Sequence, residues 1–254
     1  SKIDSLVDNA IKEKAIPGCQ ILIAKKGDVV FNKSYGYHTY ENNQLVNNTD
    51  VYDLASITKI VATVPALMHM YDNQDLHLDS TLGSLLALEG SNKKDLIIRD
   101  ILTHQSRLIP WIPFYRKTLE KDENTDFMKL RDTLYSRKFS RTFSIPVADS
   151  IYLHYSFSDS IIKQIIDSDL LDTKEYVYSD LGYYLFKKII EDKFEMPFND
   201  YLENNYYNEL GMENLCFLPK ENLDMSRIIP TENDFEFRGQ LLKGNVNDMG
   251  AAML

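Results

Sequence analysis

Two cysteines in 254 residues, Cys19 and Cys216, are too few to staple a small disulfide scaffold. They leave open a single bridge or two thiols. The apolar surroundings, the start of a strand for Cys19 and LCFL for Cys216, favour thiols. Basic residues are in the minority, 28 Lys and Arg against 38 Asp and Glu, for a net charge of −10. They also form no stripe, so a phosphate backbone would be repelled and nucleic acid is excluded as a partner. No apolar run approaches the roughly 20 residues that span a bilayer, so there is no transmembrane segment. The opening SKIDSLVDNAIKEK is amphipathic and lacks the apolar core of a signal peptide. The five histidines show no HExxH or comparable metal-ligand spacing, so no metal or other cofactor is called for.

What is present is 44% hydrophobic content, enough for a substantial core. Ile3, Leu6, Val7, Ala10 and Ile11 share one face of a first helix, which Pro17-Gly18 ends. QILIAKK and VVFNKSYG then read as a hairpin turning at Lys26-Gly27-Asp28. ENNQLVNNTD reads as a polar loop, and the pattern afterwards is mostly helical, with helices expected at 57–71, 96–102, 126–135, 158–167, 181–194 and 198–208. Between Gln105 and Tyr155, prolines and aromatics break the periodicity, and an extended surface feature is expected. Two strands cannot shield an apolar face alone, and nothing later reads clearly as the rest of their sheet.

Chemistry enters with Ser56-x-x-Lys59 inside VYDLASITKIVATVPALMHM. A serine hydroxyl needs a base within reach, and a lysine three residues on in a helix can supply one if its ammonium is disfavoured by desolvation and the helix dipole. The spacing occurs three times. Ser91 to Lys94, in GSNKKD, and Ser160 to Lys163, on a polar-faced helix, read as solvated surface, whereas Ser56 to Lys59 is flanked by apolar residues. The bland alternative is Ser56 as a helix N-cap with an exposed lysine. Pro65 inside an apolar helix asks for a packing reason. A second anchor is Tyr178-Ser179-Asp180, before the apolar-periodic LGYYLFKKII. A phenol beside an ammonium ionises more readily and can relay protons, while Asp180 also reads as an N-cap.

In order, LASITK, LTHQS, YSDLGYYLF, LGMENLCFLP and PTEND resemble the serine β-lactamase and penicillin-binding-protein-like superfamily, the class C β-lactamase-related hydrolases. WIPFY and GNVNDMG look like a subgroup sometimes found behind a family 3 glycoside hydrolase. The resemblance implies an α+β fold, with helices packed on an antiparallel sheet plus a mainly helical region. It places a helix and hairpin of the α/β part in 1–50 and the mainly helical part in 51–254. It also implies Ser56 as nucleophile, Lys59 and Tyr178 as its proton-handling partners, and Asp180 as a tuning residue where many relatives have asparagine.

The implied function is a serine hydrolase that forms an acyl-enzyme on a small-molecule amide or ester, outside the cytoplasm and related to the cell envelope or to glycans. The alternative is a catalytically silent binding or accessory module of a larger, glycosidase-fused chain. Arg107 stands where relatives have glycine, so that turn is expected to suit a bulky residue. The third motif of the family, Lys-x-Gly or His-x-Gly, has no counterpart after Tyr178, and Lys25-Lys26-Gly27 falls in the hairpin turn. The rest of the α/β part is therefore expected beyond residue 254. Poor turnover by these residues alone, and self-association through an incomplete sheet, are expected with it.

Overall fold

The computed structural model describes residues 1–41, 43–123 and 128–254. In chain order its main elements are α1 (Lys2–Lys12), β1 (Gly18–Lys25), β2 (Asp28–Gly36), α2 (Val64–Asp72), α3 (Ile98–Leu102), β3 (Leu119–Lys121), β4 (Met128–Leu130), β5 (Tyr135–Ser136), β6 (Phe143–Ala148), β7 (Ile151–His154), α4 (Phe157–Asp167), α5 (Leu181–Phe194), α6 (Phe198–Leu202), β8 (Pro230–Asp234) and β9 (Gln240–Lys243). The fold is α+β. The chain forms two compact units, one of Ser1–Asp53, Leu218–Asp234 and Gln240–Asn245, the other of Leu54–Phe217, Phe235–Gly239 and Val246–Leu254.

The first unit begins with α1, closed by a capping box between Ser1 and Asp4. Of its apolar face only Val7 is buried, and Leu6 stays 73% exposed. Asp4 ties the helix to the hairpin by accepting from Lys33 Nζ at 2.6 Å and Tyr35 Oη at 2.8 Å. β1 and β2 pair antiparallel from Gly18↔Gly36 to Lys25↔Asp28. Lys26 and Gly27 both have positive φ, +54° and +91°, the conformation that a two-residue turn needs to match the strand twist. Leu22 and Val30 remain 61% exposed on this two-stranded sheet. PTEND, which carries no clear strand signal in the sequence, forms β8 and pairs with β9 as a separate hairpin.

The second unit is built around α5, whose Leu181, Leu185, Phe186, Ile189 and Ile190 are buried. α4 contributes Phe157, Ile161, Ile162 and Ile165. Gly182 lets α5 approach α3 closely, since a Cβ there would meet Ile101 Cγ2 at 2.2 Å. The stretch from Gln105 to Tyr155 is not a surface excursion. It forms a β3–β4 pair and a three-stranded sheet of order β5-β7-β6, with Val147, Ile151 and Leu153 fully buried.

The helix expected at 126–135 does not form. Residues 126 and 127 lie outside the described residues, and Met128–Leu130 is instead a strand paired with β3. Lys129 sits across from Glu120 at 3.4 Å, and the apolar spacing that suggested a helix serves two short ladders. Cys19 and Cys216 are free thiols. Among the described residues no helix is long and apolar enough to cross a membrane.

Candidate active site

The segment preceding α2 is not one continuous helix. Ala55–Ile57 is a single 3-10 turn, Lys59–Thr63 a π turn, and regular α-helix begins only at Val64. Ala55 is held at φ +45°, a left-handed conformation that a non-glycine residue adopts at a cost, immediately before Ser56. Ser56 is therefore no N-cap, and that position falls to Leu54. Across the junction of the two turns, residues three apart stay on one side of the helical segment, and Lys59 Nζ reaches Ser56 Oγ at 3.2 Å. Pro65 has no N–H to offer the carbonyl of Val61, and the hydroxyl of Tyr207 donates there instead at 3.1 Å.

Tyr178 arrives on a segment clamped to the stretch from His104 to Pro110. The Val177 N–H donates to the His104 carbonyl at 2.9 Å, the Ser179 N–H to His104 Nδ1 at 3.2 Å, and the Asp180 N–H to the Pro110 carbonyl at 3.0 Å. Ser179 Oγ adds a bond to the Ile109 carbonyl at 2.7 Å. This clamp brings Tyr178 Oη to 2.8 Å from Ser56 Oγ. The neutral phenol donates along that line, and an ionised one would accept along it. Tyr178 is 41% exposed and Ser56 is exposed, so both are open to a ligand.

Asp180, expected to cap α5, makes no side-chain capping bond. Ser179 Oγ lies nearest that role, accepting from the Leu181 N–H at 3.3 Å. The Asp180 carboxylate instead takes Lys59 Nζ at 2.6 Å, with both side chains largely shielded from solvent. The rings of Tyr178 and Tyr183 flank the same ammonium at 5.2 and 5.3 Å. Burial pushes the Lys59 pKa down, but bonding to Asp180 and Tyr178 outweighs it, and the net shift is upward. Desolvation alone would favour the neutral amine, but the carboxylate at Asp180, as expected of a charge in that position, favours the ammonium. Lys59 is held as an ammonium.

Ser56, Lys59, Tyr178 and Asp180 thus lie within one hydrogen-bonded cluster. The other Ser-x-x-Lys pairs do not form such a cluster. Lys163 pairs with Asp167 at 2.7 Å on the surface of α4. GSNKKD is not wholly solvated, because Lys93 is fully buried, with its ammonium on Asn92 Oδ1 and the carbonyl of Ser168 just past α4. Burial lowers its pKa. Arg107 takes φ +68°, the left-handed geometry that suits glycine, so the turn has not adapted to a bulky residue. Its Nε donates to the Leu171 carbonyl at 2.5 Å, and its own carbonyl accepts from the Leu171 N–H at 2.7 Å.

Two residues at this cluster carry no role in the sequence reading. Tyr183 follows Asp180 by three, so the helical spacing that puts both on one face was the available signal. His104 lies in LTHQS, and its imidazole sits 4.4 Å from the Tyr178 ring at an interplanar angle of 33°.

A sequence profile of the Beta-lactamase family matches residues 3–227. N-acetylmuramyl-L-alanine amidase of Bacillus subtilis (strain 168) is 26% identical over 232 residues, covering 86% of this chain and 46% of the relative. Among solved structures, the octameric penicillin-binding protein homologue from Pyrococcus abyssi superposes with a TM-score of 0.65 at 22% identity, covering 96% of this chain and 50% of the other. EstCE1, a hydrolase with promiscuous acyltransferase activity, gives 0.59 at 20% identity, covering 95% and 63%. The chain spans less than half the length of the curated relatives it matches.

Proposed function

The chain belongs to the β-lactamase family, and from that premise we propose that it is a serine hydrolase in which Ser56 Oγ attacks the carbonyl carbon of an amide or ester. The observation that carries this reading is the convergence of Tyr178 Oη and Lys59 Nζ on Ser56 Oγ, at 2.8 and 3.2 Å. Tyr178, acting as phenolate, accepts the serine proton across the 2.8 Å contact between the two oxygens. Lys59 stays charged through its bond to Asp180 and steadies the negative charge that moves between the two oxygens. The proton then passes from Tyr178 to the leaving nitrogen or oxygen, giving a serine ester that water hydrolyses by the reverse relay.

A cell-envelope amide or ester outside the cytoplasm is the substrate class we favour, supported by the amidase named among the relatives. The exposed Leu22 and Val30 of the first hairpin support self-association as well. Turnover of an aryl ester, a cephalosporin and a muramoyl-peptide amide, each compared with Ser56→Ala, tests the reading. Loss of any measured turnover in the variant supports it, and equal turnover by both proteins contradicts it.

A further inference from the structure

We propose that His104 is a positioning residue for Tyr178, its neutral imidazole holding the Tyr178-Ser179 backbone through Nδ1 and the phenol through its ring face. The proposal deepens the serine-hydrolase reading and rests on it for its catalytic consequence. Ser179 is buried, and its N–H has Nδ1 as acceptor at 3.2 Å. An imidazole nitrogen accepts only while it carries no proton, so this bond fixes the proton of the neutral ring on Nε2. The residue on one side of that N–H is Tyr178, whose hydroxyl meets Ser56 and whose ring lies 4.4 Å from the imidazole. The His104 carbonyl takes the Val177 N–H on the other side, so one residue grips both flanks of Tyr178.

Among the described residues, tyrosines surround the imidazole, with Tyr178 nearest at 4.4 Å. Tyr176 meets it edge-on at 6.0 Å and Tyr183 stacks at 5.6 Å. The charges acting on it are those of Lys59 and Asp180, and the carboxylate is already engaged by Lys59 at 2.6 Å. Desolvation first, and the Lys59 ammonium second, hold the His104 pKa below the ordinary histidine value. Above that point the clamp is intact. When His104 gains a proton, Nδ1 becomes a donor facing the Ser179 N–H, and a second cation appears beside Lys59, so Tyr178 is released from its line to Ser56. Activity should therefore fall on the acid side in a single-proton step.

His104 has φ +57°, and asparagine tolerates that conformation better than other non-glycine residues. Its Oδ1 can also stand in for Nδ1 as an acceptor that does not titrate. His104→Asn therefore separates geometry from protonation, while His104→Leu removes the acceptor. The rate of Ser56 labelling by a fluorophosphonate, and the ring resonances of Tyr178, are followed against pH in both variants and the parent chain. The parent should lose labelling at the pH where the His104 resonances titrate. His104→Asn should keep its neutral-pH rate within about threefold and lose the acid step, and His104→Leu should label about tenfold or more slowly at every pH, as expected for a lost buried hydrogen bond.

An acid step unchanged in His104→Asn, or parent-like labelling in His104→Leu, would overturn the proposal. Should the leucine variant not fold, the asparagine profile decides alone. Absence of labelling in the parent at any pH would count against the hydrolase reading. The positioning claim would still be read from Tyr178, whose resonances must move with His104 titration in the parent and stay fixed in His104→Asn; resonances that ignore His104 would contradict it.

Discussion

Lys59 Nζ lies closer to Asp180 Oδ1, at 2.6 Å, than to Ser56 Oγ, at 3.2 Å. The lysine of the Ser-x-x-Lys pair is thus primarily the partner of a carboxylate, and in the proposed mechanism the serine proton goes to Tyr178. Replacing Asp180 by asparagine removes the charge and keeps an acceptor oxygen. The Lys59 pKa should then fall, and the alkaline limb of Ser56 labelling, where the ammonium is lost, should move to lower pH. Stability should drop by about 1 kcal/mol, because no capping bond is lost and the amide oxygen still accepts. A pH–rate profile of labelling together with urea unfolding measures both.

The same ion pair links pH to stability. A lysine whose folded pKa is raised contributes stability that is fully present below its unfolded value and is lost as pH rises through the folded one. Urea midpoints should therefore fall more steeply in strongly alkaline solution for the parent chain than for Lys59→Met, with the difference between the two shrinking as Lys59 deprotonates. Parallel curves would show that the pair contributes nothing.

Gly182 sits two residues beyond Asp180, against Ile101. Alanine would gain about 1 kcal/mol in helix propensity, but its Cβ would fall 2.2 Å from Ile101 Cγ2, an overlap that costs about 1–3 kcal/mol. Overpacking should win. Gly182→Ala should unfold at lower urea concentration, and it should slow Ser56 labelling because α5 carries Asp180 at its entry.

Tyr207 and Pro65 should be coupled. In Tyr207→Phe the Val61 carbonyl loses its donor, which is expected to cost about 1–3 kcal/mol. In Pro65→Ala the helix can supply an N–H to that carbonyl, so adding Tyr207→Phe should cost less. A double-mutant cycle by urea unfolding reads the difference, and additive losses would mean that the hydroxyl does not replace the missing helical bond.

The helices with sustained 3.6-residue patterns were legible in the sequence, α5 most of all: its run from Leu181 to Phe194 buries one face and ends in a left-handed Glu195. The first hairpin was legible too, because Lys26-Gly27 announces its turn. The strands β3 to β7 were not, since two to six residues carry too little periodicity and their ladders are set by partners distant in sequence. At the site, residue types and order pointed to Ser56, Lys59 and Tyr178. A carboxylate at Asp180 was expected to keep Lys59 charged, but sequence could not say that it does so without capping α5, nor that His104 backs Tyr178, because both are choices of side-chain direction made in the packed structure.

The central claim is that Ser56 is a nucleophile whose proton goes to Tyr178. Its most direct test is intact-protein and peptide mass spectrometry after exposure to a fluorophosphonate, followed over time for the parent chain, Ser56→Ala and Tyr178→Phe. The account predicts a single adduct on Ser56 in the parent, none in Ser56→Ala, and formation slowed by about 100- to 10,000-fold in a folded Tyr178→Phe protein. An adduct on another residue, or Ser56 labelling at the parent rate in Tyr178→Phe, would contradict it.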